Sequence, residues 1–276
     1  MCELVISNDD NIKTFQEREN TIFLFDVDGT LTESGDTIGN DMCELLNFVR
    51  ECGFKTGVVG GGTLQKVLEQ ADNKDEPVYF DHYFTECGCQ HNVNLSSTTG
   101  KQLHQIYHKN IREHWLYPSI NKLMKMCMSF ISEQDYLIAG NLVDLRKGIV
   151  YISMVGMTAT SVERSQFILE DKNHQYRKKL IQLLSDAAMK LGVYEDLSIN
   201  EGGQVGIAIF PKEWDKIQVL DHVLPYHETI HYFGDKYKSG GNDHRIINDS
   251  HVIGHRVDSP EDTYTILKQI LATRFA

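Results

Sequence analysis

Two carboxylates stand two residues apart at the end of an apolar run in this chain. Asp26 and Asp28 follow the uncharged stretch from Ile22 to Phe25, which predicts a strand buried on both faces that ends before Gly29. On an extended segment, alternate side chains point to one side. Asp26 could therefore attack phosphorus while Asp28 handles the proton of the leaving group. For Asp28 and Gly29 alone, an ordinary turn or a helix N-cap is the open alternative.

A glycine-rich turn follows the second predicted strand. Gly61, Gly62 and Thr63 stand at the start of a predicted helix, where backbone N–H groups can hold phosphate oxygens. A plain tight turn is the alternative interpretation of the same residues.

Two later segments add a cation and further oxygen ligands. Lys216 begins a predicted helix, where its ammonium could stabilise an attacking carboxylate and a transferring phosphoryl group, although a lone lysine is usually a surface residue. Asp235 ends a predicted strand, and Asn242 and Asp243 follow after a short loop. Together with Asp26, these hard oxygen ligands suit Mg²⁺.

Composition excludes several classes of protein. The 276 residues, of which 41% are hydrophobic, leave room for two domains. A formal net charge of −12 argues against non-specific nucleic-acid binding. No apolar run reaches ~18 residues, so no membrane span is expected, and the N-terminal residues show no secretion signal, which favours the cytoplasm. The six cysteines lack zinc-finger or CxxC spacing and are expected to be reduced.

The elements that must position these residues alternate between strand and helix at both ends of the chain. Such alternation predicts a parallel α/β sheet, whereas the middle shows strands paired by turns and interrupted by two helices. An antiparallel insert therefore divides a parallel domain. The predicted helical stripes cover 42–49, 64–71, 120–131, 180–191, 213–224 and a last helix from 259, and the predicted middle strands cover 142–145, 149–155, 197–200 and 205–210.

Six short motifs give this chain a family resemblance. They are Phe-Asp-Val-Asp-Gly-Thr-Leu-Thr from Phe25, Gly-Val-Val-Gly-Gly from Gly57, Phe-Pro-x-x-Trp-Asp-Lys ending at Lys216, Phe-Gly-Asp-Lys from Phe233, Gly-Gly-Asn-Asp-His from Gly240 and Pro-Glu-Asp-Thr from Pro260. From about Thr21 onwards, the chain resembles the haloacid dehalogenase superfamily of phosphotransferases, and within it the eukaryotic-type phosphomannomutases.

The resemblance implies an architecture and partners. We expect a Rossmann-like α/β core with a parallel sheet and an inserted α+β cap built on an antiparallel sheet. We also expect Mg²⁺ dependence, a phosphorylated sugar as substrate and a homodimer formed through the cap. The expected division is core at 19–90, cap at 91–211 and core again at 212–276, preceded by a segment at 1–18 whose polar and charged composition predicts disorder.

The resemblance also implies roles for individual residues. Asp26 becomes the nucleophile, Asp28 the general acid/base and Lys216 a phosphate-contacting lysine. The implied metal group consists of Asp26, Asp28, Asp235, Asn242 and Asp243. The implied phosphate or substrate contacts are Gly61, Gly62, Thr63 and Arg146.

Several cap positions depart from the family pattern. Only Arg146 matches one of three expected arginines, because Met157 and Ala139 stand near the other two positions. Gly206 and Ala208 replace a serine and an aspartate that bind sugar hydroxyls. Three hypotheses therefore stay open: a hexose phosphomutase, a sugar-phosphate phosphatase of the same superfamily, and a non-catalytic binding or regulatory relative.

Overall fold

The computed structural model describes residues 17–73, 77–96 and 102–274, and these residues form two compact units. The second unit comprises Lys109–Asp215 and is inserted into the first, which ends at His108 and resumes at Lys216. The predicted cap, 91–211, differs from this second unit, which begins later and ends four residues later. Of the predicted polar segment at 1–18, residues 1–16 lie outside the described residues.

Strands and helices alternate along most of the chain. In order they are β1 (Thr21–Phe25), α1 (Asn40–Glu51), β2 (Lys55–Val59), α2 (Leu64–Ala71), β3 (His82–Thr85), β4 (Gln90–Asn94), β5 (Leu103–His108), α3 (Tyr117–Ser132), β6 (Val143–Leu145), β7 (Val150–Ser153), α4 (Ser161–His174), α5 (Tyr176–Lys190), β8 (Leu197–Gly202), β9 (Gly206–Pro211), α6 (Leu220–Val223), β10 (Thr229–Gly234), α7 (His244–Ile247), β11 (Val252–Arg256) and α8 (Pro260–Arg274).

The first unit is built on a seven-stranded sheet in the order β11-β10-β1-β2-β3-β4-β5. The strands from β11 to β3 are parallel, and β4 and β5 continue the sheet antiparallel. This confirms the predicted parallel core. It also brings the carboxyl ends of β1, β2 and β10 to one edge, where ligands bind in open α/β sheets.

Strand β1 is apolar from Ile22 to Phe25, and both of its faces are covered. Phe23 and Phe25 pack into one hydrophobic cluster with residues of α1, α2 and α8. Ile22 and Leu24 point the opposite way, into a second cluster with residues of α6 and α7. The alternation of side chains along a strand therefore fills two cores, and the first polar residue after β1 emerges at the sheet edge.

The later start of the second unit has a local cause. No helix separates β3 from β4, so the chain returns antiparallel through a tight turn. Glu86, Cys87 and Gly88 in this turn all have positive φ values, of 51°, 57° and 86°. Strands β4 and β5 consequently extend the first sheet.

The second unit is an α+β structure, as predicted. Its four-stranded antiparallel sheet has the order β6-β7-β9-β8. Helices α3 and α5 coincide with the two predicted helical stripes, but α4 was missed because it buries only Phe167 and Asp171 and so lacks an apolar stripe. Its start carried a readable signal, the capping box formed by Thr160 and Glu163.

Three further expectations concern local structure. The helix predicted at 213–224 is wrong in its first half, because Lys216–Val219 forms a 3-10 turn before the single-turn helix α6. No disulfide joins any two of the five cysteines within the described ranges, and Cys2 lies outside them. In the described ranges, every helix is too short or too polar to cross a bilayer.

Candidate active site

Asp26 is the first residue after β1 and is almost completely buried. Its backbone N–H donates to Phe233 O of the neighbouring strand at 2.9 Å, which fixes the residue at the sheet edge. Its Oδ1 accepts from Val27 N at 2.8 Å and lies 2.8 Å from the ammonium of Lys216. Burial raises the pKa of this carboxyl, an effect that Lys216 opposes and Asp243 reinforces.

Lys216 is a fully buried cation between two carboxylates. Its Nζ lies 2.8 Å from Asp26 Oδ1 and donates to Asp243 Oδ1 at 2.7 Å. Burial alone would lower its pKa, but the charges of Asp243 and Asp26 raise the pKa above its ordinary value, so the group stays an ammonium. The sequence alternative of a surface lysine is therefore wrong.

Both carboxylate oxygens of Asp243 accept hydrogen bonds. Besides Lys216, its Oδ1 accepts from the hydroxyl of Tyr232 at 2.5 Å, and its Oδ2 accepts from Lys236 N at 3.0 Å. Lys216 and these hydrogen bonds lower the pKa of Asp243 against the effect of burial.

Three carboxylates come together where a cation would fit. Oxygens of Asp26, Asp235 and Asp243 lie within 4.8 Å of one another. Asp235 Oδ1 and Asn242 Oδ1 are buried and accept no hydrogen bond from any described residue. Buried oxygen acceptors left without donors match the ligands of a hard divalent cation. The spacing of Asp26, Asp235 and Asp243 therefore fits Mg²⁺, and Asn242 Oδ1 is a further buried acceptor next to Asp243 in the chain.

Two glycines make room for these carboxylates. A Cβ on Gly29, which has φ +85°, would lie 2.6 Å from Asp235 Oδ2. A Cβ on Gly234 would lie 2.6 Å from Asp243 Cγ. Any side chain at either glycine would displace a carboxylate of the group, which explains glycine at both positions.

Asp28 is held separately from the three-carboxylate group. Lys66 Nζ donates to its Oδ2 at 2.5 Å, and Gln70 Nε2 and Gly35 N donate to its Oδ1 at 2.8 and 2.9 Å. Although burial raises the pKa of Asp28, these hydrogen bonds lower it overall. Lys66 and Gln70 were missed from the sequence, where their spacing of four residues on one helix was the available signal.

The glycine turn lies beside Asn242. A Cβ on Gly61 would be 4.0 Å from Asn242 Nδ2, and Gly62 O accepts from Glu86 N at 3.0 Å. Thr63 is the N-cap of α2, with its hydroxyl accepting from Lys66 N at 3.4 Å. Gly61 thus lies next to Asn242, while the Thr63 hydroxyl accepts a backbone hydrogen bond at the start of α2.

Arg146 belongs to the second unit and is already paired. Its Nε donates to Asp144 Oδ2 at 2.6 Å, and its guanidinium lies 5.3 Å from the centre of the Tyr151 ring. The Tyr151 hydroxyl donates to Gly202 O at 3.1 Å, and its ring fills the space above Gly206, where a Cβ would approach it to 2.4 Å.

The structure brings together the two positions where further arginines were expected. Gly156, the residue before Met157, packs closely against the backbone of Ala139. A Cβ on Gly156 would lie 1.9 Å from Ala139 O. Arg164 of α4 donates from Nη2 to Met157 O at 3.4 Å and from Nε to Ala159 O at 3.1 Å. A guanidinium is therefore present at this loop, although it is supplied by another residue.

The fold and the carboxylate group define a class, the haloacid dehalogenase-like α/β proteins. Three solved structures share the fold. They are IMP-nucleotidase of Plasmodium falciparum (TM-score 0.63, 13% identity, 91% of this chain and 68% of that one), the trehalose-6-phosphate phosphatase C-terminal domain of C. albicans (0.56, 14%, 97% and 97%) and a haloacid dehalogenase-like hydrolase of Bacteroides thetaiotaomicron (0.54, 13%, 91% and 99%).

Sequence comparison gives the family within this class. The model of eukaryotic phosphomannomutase matches residues 42–273. A probable phosphomannomutase of Caenorhabditis elegans is 34% identical over 91% of this chain and 95% of its own length, and the phosphomannomutase of Saccharomyces cerevisiae is 36% identical over 93% and 96%. The chain belongs to the eukaryotic phosphomannomutase family.

Proposed function

We propose that the chain is a Mg²⁺-dependent phosphomutase that interconverts a hexose 1-phosphate and a hexose 6-phosphate through an aspartyl phosphate on Asp26. The observation that carries the proposal is the fully buried ammonium of Lys216 between Asp26 and Asp243. Burying three charged groups costs free energy of folding, because each loses its hydration. A non-catalytic relative would not need to keep this arrangement.

The geometry around Asp26 suits nucleophilic attack. Among the residues that the structure describes, the carboxylate contacts with Val27 N and Lys216 are both on Oδ1, which leaves Oδ2 for phosphorus. Lys216 stays charged and offsets the repulsion between the carboxylate and a phosphate anion. Because the transition state of phosphoryl transfer is loose, positioning and electrostatics supply most of the lowering of the barrier.

Asp26 and Asp235 of the three-carboxylate group would hold the metal, with Asn242 Oδ1 as a further buried acceptor. When bound, Mg²⁺ supplies positive charge next to the phosphoryl oxygens. Asp28 then acts in proton transfer, taking the proton of the hydroxyl that accepts the phosphoryl group and returning a proton to the leaving oxygen.

A phosphatase is the second candidate, and the second unit gives the reason. A mutase must hold the distal phosphate of a bisphosphate intermediate, yet Arg146 is engaged by Asp144 at 2.6 Å and the Tyr151 ring occupies the space above Gly206. If the second unit does not bind that phosphate, the bisphosphate intermediate would dissociate and water would hydrolyse the aspartyl phosphate.

One assay separates the three hypotheses. The protein is incubated with Mg²⁺ and mannose 1-phosphate or glucose 1-phosphate, with and without a hexose 1,6-bisphosphate, while the 6-phosphate and free phosphate are measured. Formation of 6-phosphate supports the mutase, free phosphate alone supports the phosphatase, and neither product would refute both catalytic proposals.

Cellular context and assembly are part of the proposal. We expect action on a phosphorylated sugar in the cytoplasm, and a homodimer formed through the second unit. Support for the dimer comes from Val162 and Leu169, two exposed apolar residues seven positions apart on α4. Sedimentation analysis of Leu169→Asp against the unaltered protein tests it, because a monomer in both cases would refute the dimer.

A further inference from the structure

Two side chains of α2 enclose the Asp28 carboxylate. Lys66 Nζ donates to Oδ2 at 2.5 Å, and Gln70 Nε2 donates to Oδ1 at 2.8 Å. With one side-chain donor on each oxygen, the plane of the carboxylate is fixed. Gly35 N adds a third contact at 2.9 Å.

We propose that Lys66 and Gln70 are positioning residues that orient the Asp28 carboxylate as the base for the step that removes the phosphoryl group from Asp26. The inference rests on the proposed function, since it presupposes an aspartyl phosphate.

The support for these two side chains is rigid. Helix α2 begins at its N-cap Thr63, and its residues Val67 and Ala71 are packed in the hydrophobic core. Gln70 is only 4% exposed, and its Oε1 accepts no hydrogen bond from the residues that the structure describes. The side-chain amide therefore contacts Asp28 as a donor. Catalytic groups on rigid elements with locked side chains are held more accurately than groups on loops.

The same helix carries a matched pair one position earlier in the sequence. Gln65 Nε2 donates to Glu69 Oε1 at 2.9 Å, also with a spacing of four residues. Both of these residues are exposed. An exposed pair of this kind contributes to helix stability only, so Gln65 provides a control for Gln70.

The step that depends on the base can be isolated. A hydroxyl oxygen of sugar or water attacks phosphorus, the bond from phosphorus to the Asp26 carboxylate breaks with its electron pair returning to that carboxylate, and the hydroxyl proton passes to Asp28. Formation of the phosphoenzyme from p-nitrophenyl phosphate does not need Asp28 in the same way, because nitrophenolate leaves without a proton. The two half-reactions therefore differ in their need for an oriented Asp28.

Rapid mixing of the Mg²⁺-loaded enzyme with p-nitrophenyl phosphate measures both half-reactions. The burst of nitrophenolate reports phosphorylation of Asp26, and the steady phase reports its dephosphorylation. For Lys66→Met we expect a burst rate within about threefold of the unaltered enzyme and a dephosphorylation rate lower by at least about tenfold. Gln70→Leu should act in the same direction, Lys66→Arg should restore most of the rate, and Gln65→Leu should change neither phase.

The outcomes are separable. Dephosphorylation by Lys66→Met at the unaltered rate, or equal losses in both phases, would overturn the positioning role. Absence of any burst and turnover in the unaltered enzyme would instead refute the aspartyl-phosphate chemistry. Because the Lys66 side chain is 42% exposed, its replacement should leave the fold intact, which melting curves check.

Discussion

Replacing Lys216 by methionine removes the only positive charge in direct contact with Asp26 and Asp243 in the described part of the chain. The change would leave two buried carboxylates facing each other without a cation. Breaking a buried ion pair by removing one partner costs about 3–5 kcal/mol of folding free energy. For a domain of this size, 1 kcal/mol corresponds to about 2–4 °C, so the melting temperature in EDTA should fall by about 6–20 °C.

A double variant makes this reasoning refutable. Lys216→Met combined with Asp243→Asn removes one anion together with the cation, and should regain at least about 1 kcal/mol relative to Lys216→Met. The exposed residue Lys212, which lies 3.8 Å from Glu195, provides the control, and Lys212→Met should stay within about 0.5 kcal/mol of the unaltered protein. Thermal and urea unfolding in EDTA measure all variants. A double variant no more stable than Lys216→Met would contradict the account of the buried triad.

Three further predictions concern pH, the metal group and the second unit. Burial lowers the pKa of His82 to about 4 and that of His91 to about 3, below the 6.5 of the unfolded chain. Stability should therefore fall as the pH drops below 6.5, by about 2 kcal/mol at pH 5 for one such histidine, and acid titration of the urea midpoint checks this. Gly29→Ala should weaken Mg²⁺ binding, seen as a smaller Mg²⁺-induced rise in melting temperature, because its Cβ would meet Asp235 at 2.6 Å; an unchanged rise would refute this. Met157→Arg should tighten hexose-phosphate binding in calorimetry, whereas a lowered melting temperature with unchanged affinity would mean that this loop holds no second phosphate.

The parts of the fold that depend on local pattern could be predicted from the sequence. Strand β1 could be recognised because both faces are buried, and that placed Asp26 at the sheet edge. The predicted helices at 120–131 and 180–191 were confirmed for the same reason, since apolar stripes report packing. Helix α4 could not be predicted in this way, because only two of its residues are buried and its sequence shows no apolar stripe.

What depends on tertiary contact could not be predicted. The extension of the first sheet by β4 and β5 could not be anticipated, because the turn that joins β3 to β4 depends on positive φ values at Glu86 and Cys87, which residues other than glycine seldom adopt. The sequence also could not show that the Asp28 carboxylate lies between Lys66 and Gln70, or that Asp144 and Tyr151 engage Arg146. The motifs identified the residue types of the site, whereas the contacts that set their charge and orientation come from packing.

The central claim is that Asp26 carries the phosphoryl group during turnover. Mass spectrometry of the acid-quenched protein after mixing with Mg²⁺ and glucose 1,6-bisphosphate tests it most directly. The account predicts one added phosphoryl group, removed by hydroxylamine and mapped to Asp26, and no added mass in Asp26→Asn. Phosphorylation of another residue, or turnover by Asp26→Asn at the unaltered rate, would contradict it.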